Sequence, residues 1–149
     1  MSLNKIVAAS TLCLLFSAGA LFAQVKHPAA KAHPVSLKAS IANGQLVYGK
    51  ICISCLMADG GGVQNMNPPL IKTPFVLGPK PKLISIVLNG FNESIEINGD
   101  SYSNVMPSQD FLKDQEIADV LTYVRNSFGN KAPAVTLAEV KKARALKKK

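Results

Sequence analysis

Gly44-Gln45-Leu46-Val47-Tyr48-Gly49-Lys50-Ile51-Cys52-Ile53-Ser54-Cys55-Leu56 is the stretch on which the fold of this chain turns. Ser40 is placed to cap a helix running to about Cys52, with Ile41, Gly44, Tyr48 and Ile51 along one face. At the end of that helix stands a C-x-x-C pair, which serves three known chemistries. A structural zinc needs two more ligands, and the only histidines, His27 and His33, lie in a Pro/Ala-rich stretch well upstream. A thioredoxin-like dithiol needs a parallel βαβ context and a helix beginning at the first Cys, whereas here a helix ends. Covalent haem attachment needs C-x-x-C-H, and residue 56 is Leu. On spacing alone none of the three is complete, and a simple disulfide or an inert pair of thiols fits equally well.

Upstream, Met1–Lys5 carries one charge and Ile6–Phe22 carries none, and the small residue Ala23 precedes a shift to polar sequence at Gln24. That layout marks residues 1–23 as a secretory signal peptide, with an uncleaved inner-membrane anchor as the alternative because Leu21 stands where a small residue is preferred. Cys13 falls inside the apolar run without a lipoprotein context and reads as one more apolar residue. Residues 24–39 (QVKHPAAKAHPVSLKA) have no core pattern and are expected to be a flexible tether, leaving 40–149 as the domain.

Downstream, Ala58–Pro79 is rich in Gly and Pro and has no sustained period, too long for an ordinary loop unless it wraps something or carries a site. Lys80–Leu88 is predicted as a short helix with Leu83, Ile84, Val87 and Leu88 inward and Gly90 just past its end. Ser94–Ile97 followed by Asn98-Gly99 predicts a small β-hairpin over 94–102. Asp114–Ser127 is the clearest helix, with Ile117, Val120, Leu121 and Val124 at i, i+3, i+4, i+7. Thr136 and Glu139 form a capping box for a terminal helix. The fold class is all-α: about four helices, one hairpin, and long loops with too little regular structure to fill their own centre.

The 149 residues suit one domain, and 17% charged residues argue against wholesale disorder. The net charge of +8 is concentrated at the ends. Residues 40–130 are near neutral, while Lys141, Lys142, Arg144 and Lys147–Lys149 crowd the last nine positions, a pattern expected of a frayed, solvated helix end. With no basic–aromatic face, nucleic acid is excluded as a partner.

The stretch from Gly44 to Cys55, then Ala58-Asp59-Gly60-Gly61-Gly62-Val63 and Pro68-Pro69-Leu70, resembles the haem-binding start of class I c-type cytochromes. Val87-Leu88-Asn89-Gly90, Ile95–Gly99, Tyr102-Ser103-Asn104-Val105-Met106-Pro107 and Asp114–Asn130 resemble the distal half of the same family, so the likeness covers about Ser40 to Leu146. In particular the chain is similar to the small exported monohaem cytochromes that accompany quinoprotein dehydrogenases, oxidases and nitrite reductases. The resemblance implies the class I cytochrome c fold and one covalent haem c per chain, attached at Cys52 and Cys55. It implies Met106 as the distal iron ligand and Pro69 in the region that orients the proximal ligand. It also implies a close helix crossing at Gly44, Tyr48 and Tyr123.

The resemblance fails at Leu56, where the family's proximal histidine should be. Met57 leaves the backbone in another direction, and nothing in the spacing brings His27 or His33 to the iron. The implied function is a periplasmic one-electron carrier, not an enzyme, acting as a monomer on a redox partner such as an exported dehydrogenase, oxidase or nitrite reductase. Its activity depends on whether haem is held with Leu56 in place of the histidine, and an open iron would give at most weak peroxidase chemistry. The alternative is a haem-free descendant acting as a structural or binding module. Lys72, Lys80 and Lys82 are expected on a haem rim or a solvated face, Met66 in loop packing, and Tyr102 against the hairpin or a propionate.

Overall fold

A computed structural model describes residues 35–147 of the chain. The expected signal segment, most of the expected tether with His27 and His33, and Lys148 and Lys149 lie outside the described residues.

Helix α1 (Leu37–Val47) starts one turn earlier than the sequence suggests. Its cap is Ser36, whose side chain accepts a hydrogen bond from the Ala39 amide at 3.2 Å. Ser40 instead lies inside the helix, buried, and its hydroxyl donates to Asp119 Oδ1 at 2.5 Å. Both serines have the chemistry of a cap, and a partner 79 residues away decides between them. The helical run also passes the expected end at Cys52. It widens into a π-helical turn (Tyr48–Cys52) and closes as α2 (Ile53–Leu56). Met57 ends it at φ 60°, ψ 164°, a conformation that side chains rarely tolerate.

The Gly/Pro-rich loop folds back through the Val63–Asn67 bridge and a Leu70 amide bonded to the Gly60 carbonyl at 2.8 Å. It leads to the single turn α3 (Pro74–Leu77), capped by Thr73 with Pro at its start, and then to α4 (Lys80–Asn89). The four α4 residues expected inward are all buried. Gly90 ends α4 at φ 79°. The hairpin pairs β1 (Ile95–Ile97) with β2 (Asp100–Tyr102) across Asn98-Gly99, both at positive φ as a two-residue turn requires. Tyr102 is buried opposite Ile95.

Helix α5 (Asp114–Asn126) carries the centre of the core, with Ile117, Val120, Leu121 and Val124 buried. It crosses α1 at Gly44, where a Cβ would sit 2.0 Å from the Asp119 carbonyl oxygen. Only hydrogen fits between those backbones. Helix α6 (Leu137–Lys147) begins at the predicted box, with the Thr136 amide donating to Glu139 Oε2 at 2.7 Å. Its basic end departs in part from the frayed, solvated tail expected from the charge run: Lys141 and Lys142 are exposed, but Arg144 and Lys147 are tied down. Arg144 binds Asp114 at 2.6 Å, and Lys147 reaches both Asp110 and the Leu88 carbonyl at 2.7 Å. Two of the cations therefore tie α6 to the α4–α5 connection. Among the described residues no helix is long and apolar enough to cross a membrane.

Candidate functional site

A pocket of about 320 Å³ lies between the end of the first helical run, the loop around Pro69, α4 with Phe91, β1, the segment around Met106, and α5. Cys52, Cys55, Leu56, Pro69 and Met106 all line it. Among the described residues no Asp, Glu, Lys, Arg or His contributes to its wall. Its inner surface is carbon-rich, from residues such as Leu70, Phe75, Leu83 and Val120. A hollow of that character favours a large apolar guest and penalises a charged one.

Met106 is held there by a two-residue bridge: the Phe91 amide donates to the Met106 carbonyl at 2.9 Å, and the Met106 amide to the Phe91 carbonyl at 2.8 Å. Gly90 permits this approach, since a Cβ on it would stand 2.4 Å from the Met106 carbonyl oxygen. The Val-Met-Pro sequence marked Met106 in advance, but Phe91 as its holder had no signal beyond the glycine before it.

Cys52 is half-buried and Cys55 exposed, and both are free thiols. Burial pushes the Cys52 thiol up to about 11, and the neighbouring Cys55 adds to the shift. The backbone after them is fixed by Tyr48, whose hydroxyl donates to the Met57 carbonyl at 2.7 Å and approaches the Leu56 carbonyl at 3.2 Å. Burial, first of all, raises the pKa of that phenol and keeps it protonated. Tyr48, Tyr123 and Phe128 pack ring to ring at 5.4–5.5 Å, so the expected helix crossing is also an aromatic cluster behind the cysteines.

The long loop is stapled to α5 by residues that the sequence did not single out. Asn130 donates to the carbonyls of Leu70 at 3.0 Å and Val124 at 2.8 Å, and accepts from the Lys72 amide at 2.8 Å. Buried Arg125 serves the carbonyls of Pro133, Val76 and Gly78. Nothing in their spacing announces these roles, because every partner but Pro133 and Val124 lies tens of residues away.

One further expectation needs correction. Met66 is half-exposed rather than packed in the loop, and its carbonyl accepts from the Asn104 amide at 3.3 Å. Lys80 pairs with Glu139 at 3.0 Å, and Lys82 lies 4.7 Å from the centre of the Phe75 ring. Neither lysine lines the pocket, and neither does Lys72. Lys72 and Lys82 are exposed, in keeping with the solvated face given as one of the two readings, while Lys80 is drawn into an ion pair with α6.

The donor set is lopsided. Two thiols suit covalent anchorage, and one thioether suits a soft metal ligand. At residue 56 there is hydrocarbon, with no lone pair.

A family model described as Cytochrome c matches residues 41–128. The cytochrome c subunit of a quinone alcohol dehydrogenase from Gluconacetobacter polyoxogenes is 39% identical over 104 residues, which cover 68% of this chain and 22% of that protein. Its counterpart from Gluconobacter oxydans is 35% identical over 103 residues, again with 22% of its length covered. Cytochrome c-552 of Thermus thermophilus is 34% identical over 115 residues, covering 71% of this chain and 87% of that protein. The chain thus spans under a quarter of the dehydrogenase subunits and most of the small cytochrome.

Proposed function

As the chain belongs to the cytochrome c family, whose members carry covalent haem c, we propose that it is a periplasmic one-electron carrier built on the pocket described above. In this reading Cys52 and Cys55 hold the porphyrin through thioethers and Met106 gives the iron a sulfur ligand. Bound there, haem c supplies a one-electron couple. The residues of the chain supply its setting. The uncharged wall excludes water and lowers the local dielectric, which favours the less charged, ferrous state. The Met106 thioether favours the same state. Tyr48 holds the backbone that presents Leu56, and the Phe91 bridge holds Met106, so neither group moves far when the charge changes.

The names of the relatives support a quinoprotein dehydrogenase as the redox partner. In this reading the chain is an exported monomer that meets its partner transiently, and an oxidase or nitrite reductase stands at the accepting end. The observation that carries the proposal is the convergence of both thiols and the Met106 thioether on one pocket whose described wall carries no charge.

Leu56 makes covalent loading the decisive measurement. Expression with a c-type maturation system should give a coloured protein whose haem stain survives a denaturing gel. Cys52→Ala with Cys55→Ala should abolish the stain. A colourless product with a cooperative melt would reject the carrier and favour a haem-free binding module.

A further inference from the structure

We propose that the outward face of α6, with Phe111 beside it, is a docking surface for an anionic phospholipid membrane. The inference goes beyond the carrier reading and does not depend on what fills the pocket.

Helix α6 is two-sided. Val140 is buried and Ala143 packs against the core, while Arg144 and Lys147 are drawn onto the α4–α5 connection. Ala138, Lys141, Lys142, Ala145 and Leu146 are left exposed. Their three- and four-residue spacing puts them on one side of the helix. Among the described residues that side carries no carboxylate, because Glu139 is occupied by Lys80 and by the Thr136 cap. Lys148 and Lys149 follow in the sequence and add to the same positive end.

Phe111 stands beside this face in a turn that α6 grips on both sides. Arg144 donates to the Asp110 carbonyl at 2.8 Å and to the Leu112 carbonyl at 2.7 Å, and Lys147 pairs with the Asp110 carboxylate. Leu112 points into the core, and Phe111 between the two pinned residues is 66% exposed. Leu146 is 65% exposed. Two large apolar side chains beside a group of lysines gain nothing from water. At a lipid surface they enter the acyl boundary while the ammonium groups stay among the phosphates.

The kind of cation separates a lipid surface from an acidic protein. Protein interfaces favour the forked guanidinium of arginine and are depleted in lysine. Here Arg144 is committed to Asp114 and two backbone carbonyls, and Arg125 is buried. The cations on the outward face are lysines, point charges on flexible stems that suit a mobile array of phosphates. A second copy of the chain is disfavoured, because two such faces repel each other.

The test uses the full chain purified after export, with vesicles of phosphatidylcholine alone or mixed with phosphatidylglycerol, and reads co-sedimentation over a range of salt concentrations. Binding is expected with the mixed vesicles only, falling as salt rises. Lys141→Gln with Lys142→Gln should weaken it at least about tenfold. Phe111→Ser with Leu146→Ser should weaken it too, with the salt dependence kept. Lys38→Gln with Lys50→Gln removes the same charge from exposed positions on the first helical run and should leave binding unchanged. All six side chains are exposed, so each variant should keep the melting curve of the unaltered protein by circular dichroism. No binding to the mixed vesicles would overturn the proposal and leave an acidic protein as the occupant of this face. Equal losses from the two lysine pairs would overturn it by showing that net charge alone acts. Equal binding to both kinds of vesicle, indifferent to every substitution, would overturn it by assigning attachment to residues 1–23. None of these outcomes touches the pocket, so the carrier reading stands or falls separately.

Discussion

At the scale of single residues, two positions beside the pocket set measurable limits. Cys52 has its thiol raised to about 11 from the 9.0 of a free thiol by burial and by Cys55. In the haem-free chain Cys55 should be alkylated first at neutral pH, with Cys52 lagging until the solution approaches its own pKa. The same shift has a sign for stability. Below the free-thiol value both folded and unfolded thiols are protonated and the contribution is complete. Between 9.0 and about 11 the unfolded chain loses its proton first, so the haem-free protein becomes less stable as pH rises. Denaturant midpoints across that window check it, and no decline with Cys52 intact would contradict the burial argument.

Met57 is the second. Its φ of 60° and ψ of 164° belong to glycine, so Met57→Gly should raise stability by about 1 kcal/mol through relief of strain. A lower unfolding midpoint would show that the side chain makes contacts worth more than the strain.

Among the helices, the crossing at Gly44 and the lock at the end of α6 respond differently. A methyl at Gly44 would meet the Asp119 carbonyl at 2.0 Å, which no rotamer relieves, so Gly44→Ala should destabilise by about 3 kcal/mol and weaken the Ser40–Asp119 bond beside it. The α6 lock is electrostatic. Asp110 is held below its ordinary carboxylate range by its hydrogen bond and ion pair with Lys147. A depressed folded pKa contributes above the unfolded value and is lost as pH falls through the folded one. Relative to its intrinsic rate at each pH, amide exchange in the last turn of α6 should therefore speed up on acidification below about pH 4, the ordinary range of an aspartate, while that of α5 stays slow. Equal acceleration in both helices would mean that the lock does not act locally. High salt should weaken it only in part, because Lys147 also binds the Leu88 carbonyl.

For the molecule as a whole, a pocket of about 320 Å³ sits against α5, the helix on which the core is built. A guest that fills it replaces voids with contact, and covalent attachment makes that contact permanent. The haem-loaded chain should melt at least about 10 °C above its Cys52→Ala, Cys55→Ala form, a shift that corresponds at this size to about 2 kcal/mol. Equal melting temperatures would mean that the pocket is not structurally coupled to its occupant.

Much of this architecture could be read along the chain, because it depends on neighbours three or four residues apart. The α4 and α5 stripes, the Thr136–Glu139 box, the Asn98-Gly99 turn and the C-x-x-C at a helix end are all patterns of that range, and so is the Leu where a histidine would complete the motif. What folding alone decided has partners well beyond one helical turn, from Phe91 with Met106 to Ser40 with Asp119. Ser36 rather than Ser40 caps α1 because Asp119 claims Ser40. Met106 faces the pocket because Phe91 pairs with it, and Asn130 and Arg125 pin a loop that has no period of its own. Backbone propensity acts over one turn, whereas a buried polar group is satisfied by whichever partner the packed chain brings to it, and no local spacing encodes that choice.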